Sequence, residues 1–161
     1  MTSGTWLFKY SNIGYAIAGR LAGILALAAS LFAATATAND PLKDLVVHAG
    51  GFAHDRGQAI ANLFREGQDV FGKPFMRIAV KIDRGKATLM FAGLPPGNYA
   101  VTVFHDENGN NDLDHNFLRM PAEPLGFSNG FKLSLFSGMP SFEKLRFTFG
   151  AETKPLEISV K

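Results

Sequence analysis

The chain contains no cysteine. Disulfides, thiolate zinc sites and thiol nucleophiles are thereby excluded, so stability has to come from packing, with help from any bound ion. Equally absent is a run of five or more Lys or Arg. Sixteen basic residues include Lys9 and Arg20, and all fourteen acids lie after residue 38, so the remainder of the chain carries fourteen charges of each sign. A neutral chain without a basic block is a poor partner for nucleic acid. Helical periodicity over three turns, internal repeats and low-complexity tracts are missing as well. What is present is 47% apolar residues, 12% of the chain being aromatic, over 161 residues: enough for the core of one domain.

The first 38 residues read as an export signal. Lys9 and Arg20 precede the apolar run Leu21 to Ala34, and Ala36 and Ala38 place small side chains where a signal peptidase cuts. The apolar core falls short of the ~20 residues that span a bilayer, so cleavage after Ala38 is expected rather than a retained anchor. Residues 39–161 then form a single domain, periplasmic or secreted, with no stable membrane span.

From Leu42 onward the period is two. Leu45, Val47 and Ala49 alternate with Val46 and His48. A turn at His54-Asp55-Arg56-Gly57 leads to a strand over Gln58 to Arg65. Ile78, Val80 and Ile82 and then Ala87, Leu89 and Phe91 flank Arg84-Gly85, which reads as a hairpin. Leu94-Pro95-Pro96-Gly97 turns the chain into a strand from Asn98 to His105, whose Tyr99 is placed to bond back across a Greek-key corner. Strands close the chain at Glu143 to Phe149 and at Leu156 to Val160, and Phe131 to Phe136 is a further candidate. Seven or eight short strands predict an all-β fold, an antiparallel β-sandwich of immunoglobulin or prealbumin type.

The most informative stretch is His105 to Asp114, in which four acids, three Asn and one Gly follow directly on a strand. Asp106, Asn108, Asn110 and Asp114 occupy positions 1, 3, 5 and 9 of a DxNxNxxxD pattern, the alternating oxygen donors with which a loop wraps calcium. Asp112 would offer its carbonyl at position 7. Phe117 stands where such loops place a bidentate acid, so Glu123 or water would complete a weak site. The four histidines, His48, His54, His105 and His115, have no diagnostic spacing for a transition metal, and a histidine bonded to its neighbours is the ordinary outcome at such positions.

A hydrolase reading would use His105 as base, with Asp106 or Glu123 orienting it and Ser128 as nucleophile. No nucleophile elbow or HExxH motif accompanies them, and a turn serine more often caps backbone. The expectation is therefore a non-enzymatic binding or structural module for a protein, glycan or small-molecule partner. Phe117, Phe127, Phe131, Phe136 and Phe142 are expected mostly to pin the long segment to the core.

Four motifs in order, Leu94-Pro95-Pro96-Gly97-Asn98-Tyr99-Ala100-Val101, His105-Asp106-Glu107-Asn108-Gly109-Asn110, Glu123-Pro124-Leu125-Gly126-Phe127-Ser128-Asn129 and Pro140-Ser141-Phe142, resemble an exported bacterial family, domain of unknown function 2141. The resemblance spans essentially all of the chain after the signal and implies an exported β-sandwich with no established activity. Where that family continues Asn-Gly-Lys-Leu-Asp, this chain has Asn110-Asn111-Asp112-Leu113-Asp114. Asn111 thus stands in for a glycine, at a bend where Asn also tolerates positive φ.

Overall fold

Alternating apolar residues become eight strands in the computed structural model, which describes residues 41–161 apart from Arg119 and Leu135. The expected signal peptide and its cleavage point lie outside the described residues. No described helix is long and apolar enough to cross a membrane. In chain order the strands are β1 (Lys43–Gly50), β2 (Gln58–Arg65), β3 (Met76–Val80), β4 (Lys86–Leu94), β5 (Gly97–Asp106), β6 (Leu125–Phe127), β7 (Phe147–Phe149) and β8 (Leu156–Ser159). They form two sheets, one ordered β4-β1-β8 and the other β3-β2-β5-β6, with β7 also paired to β5.

Leu45, Val47 and Ala49 of β1 and Leu89 and Phe91 of β4 meet Ala61 and Leu63 of β2 and Val101 and Val103 of β5 in one core between the sheets. Fully burying one such Leu or Phe contributes about 1.5 to 3 kcal/mol. The central strands β2 and β5 are buried on both faces, which is why their sequences are apolar almost throughout. Their outer face is covered by the returning long segment. There Phe64, Val70, Ala100, Phe127, Phe142 and Leu145 form a second, smaller core.

Four expectations change, one of them at Glu143 to Phe149, where Phe142–Leu145 is a turn of helix and only Phe147–Phe149 is a strand. The turn at Asp83–Lys86 is tight, with φ of 49° at Arg84 and 71° at Gly85, but the strands on either side of it do not pair. β3 joins β2 in one sheet and β4 joins β1 in the other, because period two specifies which face is buried and not which strand lies alongside. The turn is therefore a crossing between layers. Nor is the pairing wholly antiparallel: β8 runs parallel to β1, in register from Val47 with Leu156 to Gly50 with Ser159. It reaches that edge from β7, which belongs to the opposite sheet, so it arrives by crossing over rather than by doubling back. Finally, the described part of Phe131 to Phe136 forms no strand. Positive φ at Asn129 and Gly130 turns the chain away, and the edge of β5 is already taken by β6 and β7.

Two local devices hold the layers together. Tyr99 is buried and its hydroxyl donates to the Pro95 carbonyl at 2.9 Å, bracing the turn before β5 as the corner reading expects. Elsewhere, Leu125 and Lys161 exchange two backbone hydrogen bonds of 3.1 Å, which stitch the start of β6 to the chain just beyond β8. Gly126 makes this approach possible: a Cβ there would lie 2.6 Å from Ile158 Cγ2 and 2.7 Å from the Ser159 carbonyl.

Candidate functional site

β5 ends at Asp106, and the loop it enters is built around that carboxylate. Asp106 is fully buried. Its Oδ1 accepts the N–H groups of Gly109 and Asn110, at 2.8 and 3.2 Å, and its Oδ2 accepts from Asn111 N–H at 3.0 Å and from the Gln58 amide at 2.8 Å. Burial pushes the Asp106 carboxyl up, but these donors outweigh it and hold the group below its ordinary pKa. Asn111 has φ of 66°, so the glycine substitute does adopt the left-handed bend. Its carbonyl is held by Arg77 at 3.0 Å and its side chain by Gln58 at 2.9 Å.

The other donor residues gather on the far side of the loop. Asn108 and Asn110 each turn an amide N–H toward Asp114, at 2.6 and 3.1 Å, while their own oxygens accept the N–H groups of Asn110 and Asp112. Residues at positions 1, 3, 5 and 9 are thus brought into one interlinked loop. Glu123 is buried, and its two oxygens accept the N–H groups of Glu107 at 3.0 Å and Asp114 at 3.1 Å, tying both ends of the loop together. Each oxygen retains a second lone pair. As placed, the amides of Asn108 and Asn110 offer hydrogens to Asp114, so a cation here would require both to rotate and present oxygen.

The proposed catalytic set is not brought together. Ser128 is buried, accepts Val101 N–H at 2.9 Å and donates to the Leu145 carbonyl at 2.6 Å. That places it beside Val101, four residues and about 13 Å along β5 from His105. Glu123 bonds to loop backbone and not to the imidazole.

The histidines part in a way their spacing did not indicate. His48 pairs with Thr88 on β4 at 3.2 Å, and His115 forms an isolated bridge with Pro121. His54 and His105 instead meet, ring centroids 4.8 Å apart. With Glu107 they form a group whose ligand atoms all lie within 4.8 Å of one another. Glu107 Oε1 is 3.6 Å from His54 Nε2 and 3.7 Å from His105 Nδ1. His105 is fully buried against Phe52 and its Nε2 lies 2.8 Å from the Arg56 carbonyl. The sequence held half of this signal: His105 and Glu107 lie two residues apart where β5 runs out into the loop.

Of the five phenylalanines, Phe127 and Phe142 are buried and Phe131 packs on them, while Phe117 and Phe136 stand in solvent. Between the outer face of the larger sheet and this segment runs a cleft of about 430 Å³, bordered by Asn62, Arg77, Phe104, Met120, Leu125 and Leu133.

This architecture, with its acidic loop between β5 and β6, falls within a match over residues 47–157 to the family described as uncharacterized protein conserved in bacteria (DUF2141). The chain belongs to that family. The matched region runs from inside β1 to inside β8, so both sheets, the Asp106 loop and the His54–His105–Glu107 group are DUF2141 territory. No curated protein and no solved structure matches the chain.

Proposed function

We propose that this DUF2141 protein is exported by cleavage of residues 1–38 and acts in the periplasm or outside the cell as a non-enzymatic binding or structural module, an immunoglobulin- or prealbumin-like sandwich whose Asp106–Asp114 loop takes calcium. One observation carries the calcium reading: Asp106, Asn108, Asn110 and Asp114, the residues at ligand spacing, interlink within a single loop. Carboxylate, amide and carbonyl oxygens suit a large hard ion better than zinc. Asp112 would add its carbonyl, and Glu123 is held beside the loop as a further oxygen donor.

With no acid at Phe117 and two amides to turn, affinity falls in the weak extracellular range, a dissociation constant of about 10⁻⁵ to 10⁻³ M. At one hundred times that constant the folded state gains roughly 2.7 kcal/mol, several degrees of melting temperature for a domain of this size. Calcium titration followed by thermal melting is the test. Asp114→Ala is expected to abolish the shift and Glu107→Ala to leave it nearly intact. If millimolar calcium moves neither the melting temperature nor the protease sensitivity of the loop, the reading fails.

A further inference from the structure

We propose that His54, His105 and Glu107 form a second, separate metal site, selective for a divalent transition ion such as Zn²⁺. A backbone carbonyl only accepts, so the 2.8 Å contact with the Arg56 carbonyl puts a His105 hydrogen on Nε2, and the neutral ring then has its lone pair at Nδ1. That nitrogen is fully buried and makes no hydrogen bond. It points at Glu107 Oε1, an acceptor facing an acceptor at 3.7 Å. A guanidinium only donates, so the 3.3 Å contact with Arg56 Nη2 marks His54 Nε2 as the acceptor nitrogen, 3.6 Å from the same Oε1; a metal ion would take that lone pair by displacing the exposed Arg56 side chain.

The His105 lone pair, the His54 lone pair that Arg56 now caps, and one carboxylate oxygen therefore converge. Ligand atoms 2.0 to 2.1 Å from a tetrahedral ion stand about 3.4 Å apart, close to the 3.6 and 3.7 Å between Glu107 Oε1 and the two imidazole nitrogens, and all three ligand atoms lie within 4.8 Å of one another. The carbonyl behind His105 is the usual partner that fixes the tautomer of a ligating histidine. The backbone supporting the group is also held. The Asp55 carboxylate accepts the N–H groups of Arg84 and Gly85, at 2.9 and 2.8 Å, and Glu123 holds Glu107 N–H. Nitrogen-rich and compact, the group prefers Zn²⁺, Ni²⁺ or Cu²⁺ to Ca²⁺. Three protein ligands leave a fourth position, on the side where His54 and Glu107 meet solvent.

The test is titration of the metal-stripped protein with Zn²⁺ alone by calorimetry, repeated with Co²⁺ to read the visible bands of a tetrahedral complex. One ion per chain is expected. His105→Ala risks the fold, since the ring is buried, so the deciding variants are the more exposed His54→Ala and Glu107→Gln. Each is expected to raise the zinc dissociation constant by about 10²-fold or more while melting like the parent in the absence of metal. Asp114→Ala, which belongs to the calcium reading, is expected to leave zinc binding unchanged, so the two proposals fail separately. Zinc binding that survives both His54→Ala and Glu107→Gln would overturn the site, as would no binding at millimolar Zn²⁺. A nitrogen spectrum showing His105 doubly protonated in zinc-saturated protein would overturn it too.

Discussion

His105 and Asp106 are neighbours on β5 that face opposite sides of the sheet. His105 closes the inner core beside Phe52, and Asp106 reaches outward to Gln58 and its own loop. One strand end thus supplies nitrogen chemistry on one face and oxygen chemistry on the other, separated by the alternation of the backbone.

The buried carboxylate makes the fold acid-sensitive. Because the folded-state pKa of Asp106 is lowered, its contribution is fully present above the unfolded value of about 3.9 and is lost as pH falls through the folded value. Asp55, lowered chiefly by the Gly85 and Arg84 N–H groups, acts in the same direction. Denaturant midpoints measured from about pH 7 down to about pH 3 are expected to fall at the acid end. Asp106→Asn is expected to be less stable at neutral pH and to show a shallower decline.

Tyr99→Phe removes one hydroxyl and little else, and the Pro95 carbonyl loses its 2.9 Å donor. The expected loss is about 0.5 to 1.5 kcal/mol, read as a lower denaturant midpoint at unchanged slope. An unchanged midpoint would show that the hydroxyl does not brace the corner.

Ser128→Ala is expected to behave as a structural and not a catalytic lesion. It strips partners from two buried groups, Val101 N–H and the Leu145 carbonyl, at a total cost of about 2 to 4 kcal/mol. Calcium and zinc binding by the folded fraction should match the parent.

Gly57→Ala is the most damaging single methyl expected near the sites. Gly57 has φ of 76°, and an added Cβ would overlap the Asp106 carbonyl oxygen. A loss above about 2 kcal/mol is expected, together with weaker zinc binding, since the loop carrying His54 would be pushed from β5.

Much of this fold is visible in the residues themselves. Leu45, Val47 and Ala49 announce a half-buried strand, and Pro-Pro-Gly before Tyr99 announces the corner. Arg84-Gly85 announces the right turn, but nothing local says that β3 and β4 part into different sheets. The parallel seat of β8 is equally invisible, being a contact between Val47 and Leu156. The acidic loop is legible because its ligands are consecutive. The pairing of His54 with His105 is not, because it exists only once β2 lies antiparallel to β5, with Gln58 opposite Asp106.

That crossing at Asp83–Lys86 also bears on how the molecule is made. With β1 joined to β4 and β8, and β2 to β5, most strand pairs close only after long intervening segments have been ordered. Loop-closure entropy is spent before those ladders repay it, which places folding on the slow, millisecond-to-second side for a domain of this size. The β1–β8 ladder, from Val47 with Leu156 to Gly50 with Ser159, spans the greatest sequence distance of all and carries the largest closure entropy. Until it forms, β8 presents an open edge, and the half-assembled chain is most exposed to aggregation there.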